Sequence, residues 1–356
     1  MTERGSLIDL ASERLGGRAL LANDEFFAPK ENLLRPEPPV FLEGKYTDRG
    51  KWMDGWETRR RREPGHDWCL IRLGAPGVIR RLVVETTHFR GNHPEACSVE
   101  VFEADGGDTS GGSGSAGARA AAAARDSGRE ASLEEPTPEE LVAARGWQEV
   151  LPRTPLRGDA RNEFEIPDAP RATHLLLRIY PDGGVARFRA FGEVRPRWEA
   201  LLADGGPVDL AAAVHGAAIV ACSDEFFGEP ENLLLPDWAR SMAEGWETRR
   251  RRGPGHDWVV VRLGRRGRLE RVEVDTAFFR GNYPESFSLE GHEGSSLPPG
   301  SEEEGWETIL PRTKLGPDAV HSFEELAARG PYTHVRFRIY PDGGVSRLRL
   351  HGRPAE

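Results

Sequence analysis

Two stretches of this chain share one apolar–polar layout. Val78 to Phe89 (VIRRLVVETTHF) and Leu269 to Phe279 (LERVEVDTAFF) are rich in β-branched and apolar residues and partly alternate, the pattern of half-buried strands. His174–Tyr180 and His334–Tyr340 predict further strands, each ending in a Pro-Asp-Gly-Gly turn. An alternating return strand follows each turn, Val185–Phe191 and Val345–Leu350, which predicts a strand–turn–strand unit. Short helices are expected only at Pro138–Arg145, Trp198–Leu202 and Phe323–Ala328. Many short strands with Gly/Pro punctuation predict an all-β chain built as sandwiches or jelly rolls.

The pairing of elements extends to a duplication. DEFF at 24–27 and ENLL at 31–34 recur at an offset of 200. GWETRRRR-x-PGHDW (Gly55–Trp68, Gly245–Trp258) and RGN-x-PE (90–95, 280–285) recur at 190. LPRT (151–154, 310–313) recurs at 159 and RIYPDGGV (178–185, 338–345) at 160. A period this long means two homologous domains, expected at 6–196 and 206–353 with a link over Pro196–Gly206. The falling offset places extra residues in repeat 1, ten between Asn32 and Gly55 and a further 31 between Glu95 and Trp147. The second insert holds a Gly/Ala/Ser-rich segment, about 104–136, with too little apolar surface to predict order.

Composition narrows the function. The chain has 356 residues, 38% of them hydrophobic and 30% charged, as in soluble globular proteins. Acidic residues outnumber basic ones, 58 to 48, giving a net charge of −10. That argues against nucleic acid as a partner despite two RRRR runs. No apolar run reaches the roughly 18–20 residues of a membrane span. The start, MTERGSLIDL, lacks a secretory layout, and the three cysteines have no metal-type spacing. A reducing, cytoplasmic setting is expected.

The repeated polar strings carry the candidate chemistry. As a strand, the arginine run would put Arg59 and Arg61 on one side, as it would Arg249 and Arg251, suited to a carboxylate or ureido oxygen. A solvated edge, or Arg–Glu pairs bracing the domain, is the alternative. Recurrence favours function: 13 of the 15 positions in 54–68 match 244–258. His66 or Asp67, and His256 or Asp257, are candidate general bases, while Trp68 and Trp258 are expected to anchor the core. Arg90, Asn92 and Glu95, with Arg280, Asn282 and Glu285, follow a strand and so fall at a sandwich end where loops gather. Asp182 and Asp342 sit at the tips of the Pro-Asp-Gly-Gly turns. Repeat 1 alone has His88 and His93, where repeat 2 has Phe278 and Tyr283. With His66, Asp67 and Glu95 these leave a divalent-metal site open, although no HxxxH or HExxH spacing is present. No cofactor motif and no nucleophile elbow occur, so activated water is the expected nucleophile.

Taken together, DEFF…ENLL, GWETRRRR-x-PGHDW, RGN-x-PE, LPRT and RIYPDGGV resemble the allantoicase family over nearly the whole chain, in both repeats. The resemblance implies hydrolysis of allantoate to ureidoglycolate and urea. It also implies tandem jelly-roll, galactose-binding-like domains and a homo-oligomer. On that reading Arg59 or Arg61 takes the substrate carboxylate, and Asn92, Glu95 or Asp182 takes the ureido groups. Glu57, His66 or Asp67 directs water, with Glu247, His256 and Asp257 as the second set. A non-catalytic ligand-binding module and a hydrolase of ureidoglycolate stand as alternatives.

Overall fold

The computed structural model describes residues 7–104, 136–294 and 305–355, and the described chain divides into two compact units, Leu7–Arg195 and the part from Pro196 onward. Both are almost entirely β. Nearly all of the segment expected to lack order, at about 104–136, lies outside the described residues.

In repeat 1 the strands are β1 (Ile8–Asp9), β2 (Arg18–Ala22), β3 (Tyr46–Thr47), β4 (Gly50–Lys51), β5 (Trp56–Glu57) and β6 (Asp67–Glu85). There follow β7 (Ala96–Phe102), β8 (Gln148–Pro155), β9 (Arg161–Glu165), β10 (Arg171–Tyr180), β11 (Gly184–Val185) and β12 (Arg187–Val194). The organising element is β6, whose 19 residues serve two layers. Its first half lies between β2 and β10, and β7 and β8 continue that layer. Its second half lies between β9 and β12, with β1 beyond β12. All these pairings are antiparallel, which gives a jelly-roll-like sandwich.

Repeat 2 copies the plan with β13 (Val208–Asp209), β14 (Ala218–Cys222), β15 (Trp246–Glu247), β16 (Asp257–Asp275) and β17 (Ser286–His292). It ends with β18 (Glu307–Lys314), β19 (Val320–Phe323), β20 (Tyr332–Tyr340), β21 (Gly344–Val345) and β22 (Arg347–Pro354). Here β16 is the shared strand, paired with β14, β20, β19 and β22.

Four expectations need correction. The strands around Pro-Asp-Gly-Gly do not form a hairpin, since β10 and β12 both pair with β6. Between them the chain detours through β11, which pairs with β5. The arginine run is an irregular loop after the two-residue β5, because its backbone bonds to side chains and turns instead of a neighbouring strand. No helix forms over 323–328. Phe323 closes β19 on β16 and packs against Phe287 at 5.1 Å, so tertiary contact overrides the local pattern. Trp68 is only half-buried, beside Leu70, Leu141 and Leu176, while Trp56 is fully buried. The helices at Pro138–Ala143 and Trp198–Leu201 are present. No helix among the described residues is long and apolar enough to cross a membrane.

Arg187 is the largest charged group in the repeat-1 core, 1% exposed. It donates to Asp54 Oδ2 at 2.8 Å and to the carbonyls of Glu37, Asp54 and Ala186. It thereby ties the first insert of repeat 1 to the sandwich. Asp54→Ala would leave that guanidinium without its countercharge, and should lower the stability of repeat 1 by about 3–5 kcal/mol. Urea unfolding of the variant checks this; a loss near zero would contradict the buried pair. Cys69 and Cys97 are buried, and burial pushes the Cys97 thiol up to about 12, while Cys222 is partly exposed. Native thiol titration should therefore find at most one reactive cysteine, and two or more would contradict the packing of β6 and β7.

Candidate active site

Four segments converge at one end of the repeat-1 sandwich. Trp56 anchors them, its Nε1 donating to the carbonyl of Asp24 at 2.8 Å. Next along the chain, Glu57 pairs with Gly184 on one side and bridges Ala28 on the other. The amide of Thr58 donates to the Gly183 carbonyl at 3.1 Å, and Thr58 Oγ1 accepts from the Gly183 amide at 3.1 Å. Gly184 donates to the carbonyl of Asn92 at 2.8 Å, and the Glu95 amide to the carbonyl of Tyr180 at 2.8 Å. Gly183 holds φ at +138°, following a cis Tyr180–Pro181 peptide. Gly184 must lack a Cβ, which would stand 2.0 Å from the buried Phe89 ring. The doubled Gly-Gly thus lets the turn lie against the loop that carries Asn92.

Most acids in this loop cluster are matched by arginine. Asp24 accepts from the amides of Phe26 and Arg59, and from Arg59 Nε at 2.6 Å. Asp67, 1% exposed, accepts from Arg61 Nη1 at 2.7 Å and from Asn23 Nδ2 at 2.9 Å. Arg90 pairs with Asp159 at 2.9 Å, and Arg178 donates to Glu100 at 2.8 Å. Asp182 Oδ2 accepts the amide of Arg61 at 2.8 Å.

Glu57 is different. Its carboxylate has no cationic partner among the described residues and accepts only from Asn92 Nδ2, at 2.7 Å. Burial raises its pKa above the ordinary glutamate value, with the Asn92 hydrogen bond opposing.

His66 Nε2 lies 2.9 Å from Arg178 Nη1, and its ring packs on Tyr180 at 5.2 Å. A guanidinium can only donate, so Nε2 is the acceptor and the ring proton sits on Nδ1. Burial, then the charges of Arg178 and Arg61, push its pKa below the usual value. His66 is therefore neutral at neutral pH, and its neighbour Asp67 is bonded to Arg61 and Asn23.

Repeat 2 rebuilds the same frame. Glu247 accepts from Asn282 Nδ2 at 2.5 Å, and Asp342 from the Arg251 amide at 2.6 Å. Asp224 pairs with Arg249 at 2.9 Å, and Arg280 with Asp318 at 3.0 Å. Asp257 accepts from Arg251 and, at 3.1 Å, from Ser223 Oγ, where repeat 1 uses Asn23. His256 packs on Tyr340 at 5.1 Å, its pKa lowered by burial and by Arg338 and Arg251.

The metal candidates do not assemble. His88, at φ +72°, turns to the Pro39 carbonyl and stacks on Phe41, while His93 Nδ1 meets the Arg90 carbonyl at 3.0 Å. Among the described residues no group of three or more His, Cys, Asp or Glu side chains stands where it could hold an ion. Glu95 is exposed, whereas Glu285 pairs with Arg312 at 3.0 Å. Asp24 and Tyr180 were not among the expected site residues, and Arg178 was expected only as a neighbour of the Asp182 turn. Their signal was the repetition of DEFF and of RIYPDGGV itself.

The comparisons with known proteins place the whole chain in one family. The model of the allantoicase repeat matches residues 8–195 and 208–355. A probable allantoicase 2 from Burkholderia pseudomallei is 44% identical over 349 residues, covering 97% of this chain and 94% of that protein. A probable allantoicase from Pseudomonas aeruginosa is 44% identical over 351 residues, covering 98% and 96%. The crystal structure of allantoicase from Saccharomyces cerevisiae superposes with a TM-score of 0.72 at 33% identity, covering 98% of this chain and 94% of that one. With both repeats matched in order and relatives aligned along almost their whole length, the chain belongs to the allantoicase family.

Proposed function

We propose that allantoate is hydrolysed to ureidoglycolate and urea at these loop ends, with Glu57 and Glu247 as the carboxylates that move the proton. The observation that carries this assignment is the recurring Glu–Asn pair, Glu57–Asn92 and Glu247–Asn282, at 2.7 and 2.5 Å. Every other acid named in the repeat-1 cluster except the exposed Glu95 is committed to an arginine or to a backbone amide.

The reaction needs one proton moved. Water oxygen bonds to the central carbon of allantoate, the bond from that carbon to one ureido nitrogen breaks, and a proton passes from water to that nitrogen. A carboxylate so placed can take the proton and return it, first as base and then as acid, and burial raises the Glu57 pKa towards that task. Asn92 Nδ2 is spent on Glu57, which leaves Oδ1 to accept a ureido N–H. Asp67 and Asp257 act as braces for Arg61 and Arg251 on this reading. Arg59, Arg61 and Arg90, each paired with an acid, shape the loop. His66 offers Nδ1–H as a donor. Both proton transfers fall to protein side chains on this reading. A cytoplasmic homo-oligomer belongs to the same proposal, supported by an odd number of cysteines, two of them buried, and by the exposed Phe226, Phe227 and Trp238. A monomer in sedimentation velocity would remove the oligomer from it.

Replacing both carboxylates (Glu57→Gln with Glu247→Gln) should cut kcat by about 10²–10⁴-fold while KM changes little. Urea release measures it, and unchanged turnover would sink the assignment. The sign of the pH dependence also follows. Because burial raises the Glu57 pKa, kcat/KM should fall as pH drops through a value above the ordinary 4.5 of glutamate. The limb belongs to the carboxylate, so His66→Ala should keep it; loss of the limb in that variant would reassign the base.

A further inference from the structure

The LPRT string, repeated in both halves, has no role in the scheme above, yet it places an arginine over the tyrosine that packs on the histidine. Arg153, at the exposed edge of β8, lies over the Tyr180 ring at 4.5 Å, and Arg312 lies over Tyr340 at 4.4 Å. Tyr180 packs on His66 and leads through Pro181, Asp182 and Gly183 to Gly184, the residue paired with Glu57.

The two arginines differ in what else they touch. Arg312 Nε donates to Ser286 Oγ at 2.7 Å and its Nη2 to Glu285 at 3.0 Å, while Ser286 Oγ donates to the same Glu285 oxygen at 2.5 Å. That triangle neutralises Arg312 and uses its donors. Repeat 1 has Ala96 in place of Ser286, each facing its tyrosine across the sheet, Ala96 opposite Tyr180 and Ser286 opposite Tyr340. An alanine cannot close the triangle. Among the described residues the Arg153 side chain makes no hydrogen bond or ion pair, and it lies over the ring.

We propose that Arg153 anchors the substrate carboxylate in repeat 1, and that the residue at 96 or 286 decides whether the arginine is available. Of the arginines at this loop end, Arg59, Arg61, Arg90 and Arg178 each have an acid already. Held over an aromatic ring, Arg153 presents planar donors suited to bidentate binding of a carboxylate. Allantoate carries one carboxylate beside two ureido arms, so an anchor at Tyr180 and an amide acceptor at Asn92 would fix both ends. The two repeats then differ in substrate affinity by the state of one arginine. This rests on the allantoate reading of the site.

The test uses full-length protein carrying Glu247→Gln, so that repeat 1 alone reports, with urea release from allantoate as the readout. Arg153→Ala should raise KM about tenfold or more with kcat within about threefold, and Arg153→Lys should recover part of the loss. Ala96→Ser, which supplies the missing hydroxyl, should also raise KM. Arg153 is exposed, so its replacement should leave folding intact, and because Ala96 is buried the thermal unfolding of Ala96→Ser is measured beside its KM. Wild-type protein that releases no urea would overturn the allantoate reading and this inference with it. Active wild type with an inactive Glu247→Gln variant would put turnover in repeat 2 and overturn the inference alone. So would a KM for Arg153→Ala within twofold of its parent, and an unchanged KM in Ala96→Ser would refute the hydroxyl lock.

Discussion

In a loop of four consecutive arginines, acids pin two of them, Arg59 and Arg61, and that pinning underlies the whole site. Asp24 holds Arg59 through side chain and amide together, and Asp67 holds Arg61 from the first residue of the long shared strand. Asp182 takes the Arg61 amide from the far side, across the turn that follows β10. These three acids come from parts of the chain far apart in sequence, so the loop is the point where they are tied together. Between the anchored Trp56 and the braced Arg59 sits Glu57, fixed in position but not neutralised. An acid in that state has a raised pKa and a reason to react.

The duplication shows which parts of this arrangement are essential to the frame and which vary. Both halves keep the acid–arginine braces, the Glu–Asn pair and the histidine on its tyrosine. Their partners change freely around that frame. Ser223 does the work of Asn23, and the buried Arg347 takes Asp237 where Arg187 takes Asp54. The insert of repeat 1 is absorbed locally: Arg49 donates to the Phe26 carbonyl, and His88 meets Pro39 and Phe41. His88 therefore has an insert to hold, through Pro39 and Phe41.

Much of the fold was legible because strands announce themselves by alternation and turns by Pro and Gly. The long central strand was legible over Val78–Phe89, while in its first half Gly74, Pro76 and Gly77 break the apolar pattern that starts at Trp68. The Pro-Asp-Gly-Gly strings read as hairpin turns, but their strands are joined through β6, and sequence spacing cannot tell a hairpin from two strands sharing a neighbour. The site was legible as a set of residues, not as a set of roles. Glu57 and Asp67 look equivalent on paper. What separates them is that Arg61 reaches Asp67 and no arginine reaches Glu57, a fact of three-dimensional pairing. Arg153 escaped for the same reason: an arginine in a short polar string says nothing of the ring beneath it.

The central claim is that the uncompensated glutamate, and not the buried aspartate beside the histidine, meets the substrate. Crystals of the Glu57→Gln, Glu247→Gln protein soaked with allantoate test it most directly. The account predicts a ureido nitrogen of the ligand within hydrogen-bonding distance of the residue-57 amide, with Asn92 on the same arm. Allantoate bound against Asp67 with Arg61 swung away, or bound beyond reach of residue 57, would contradict it.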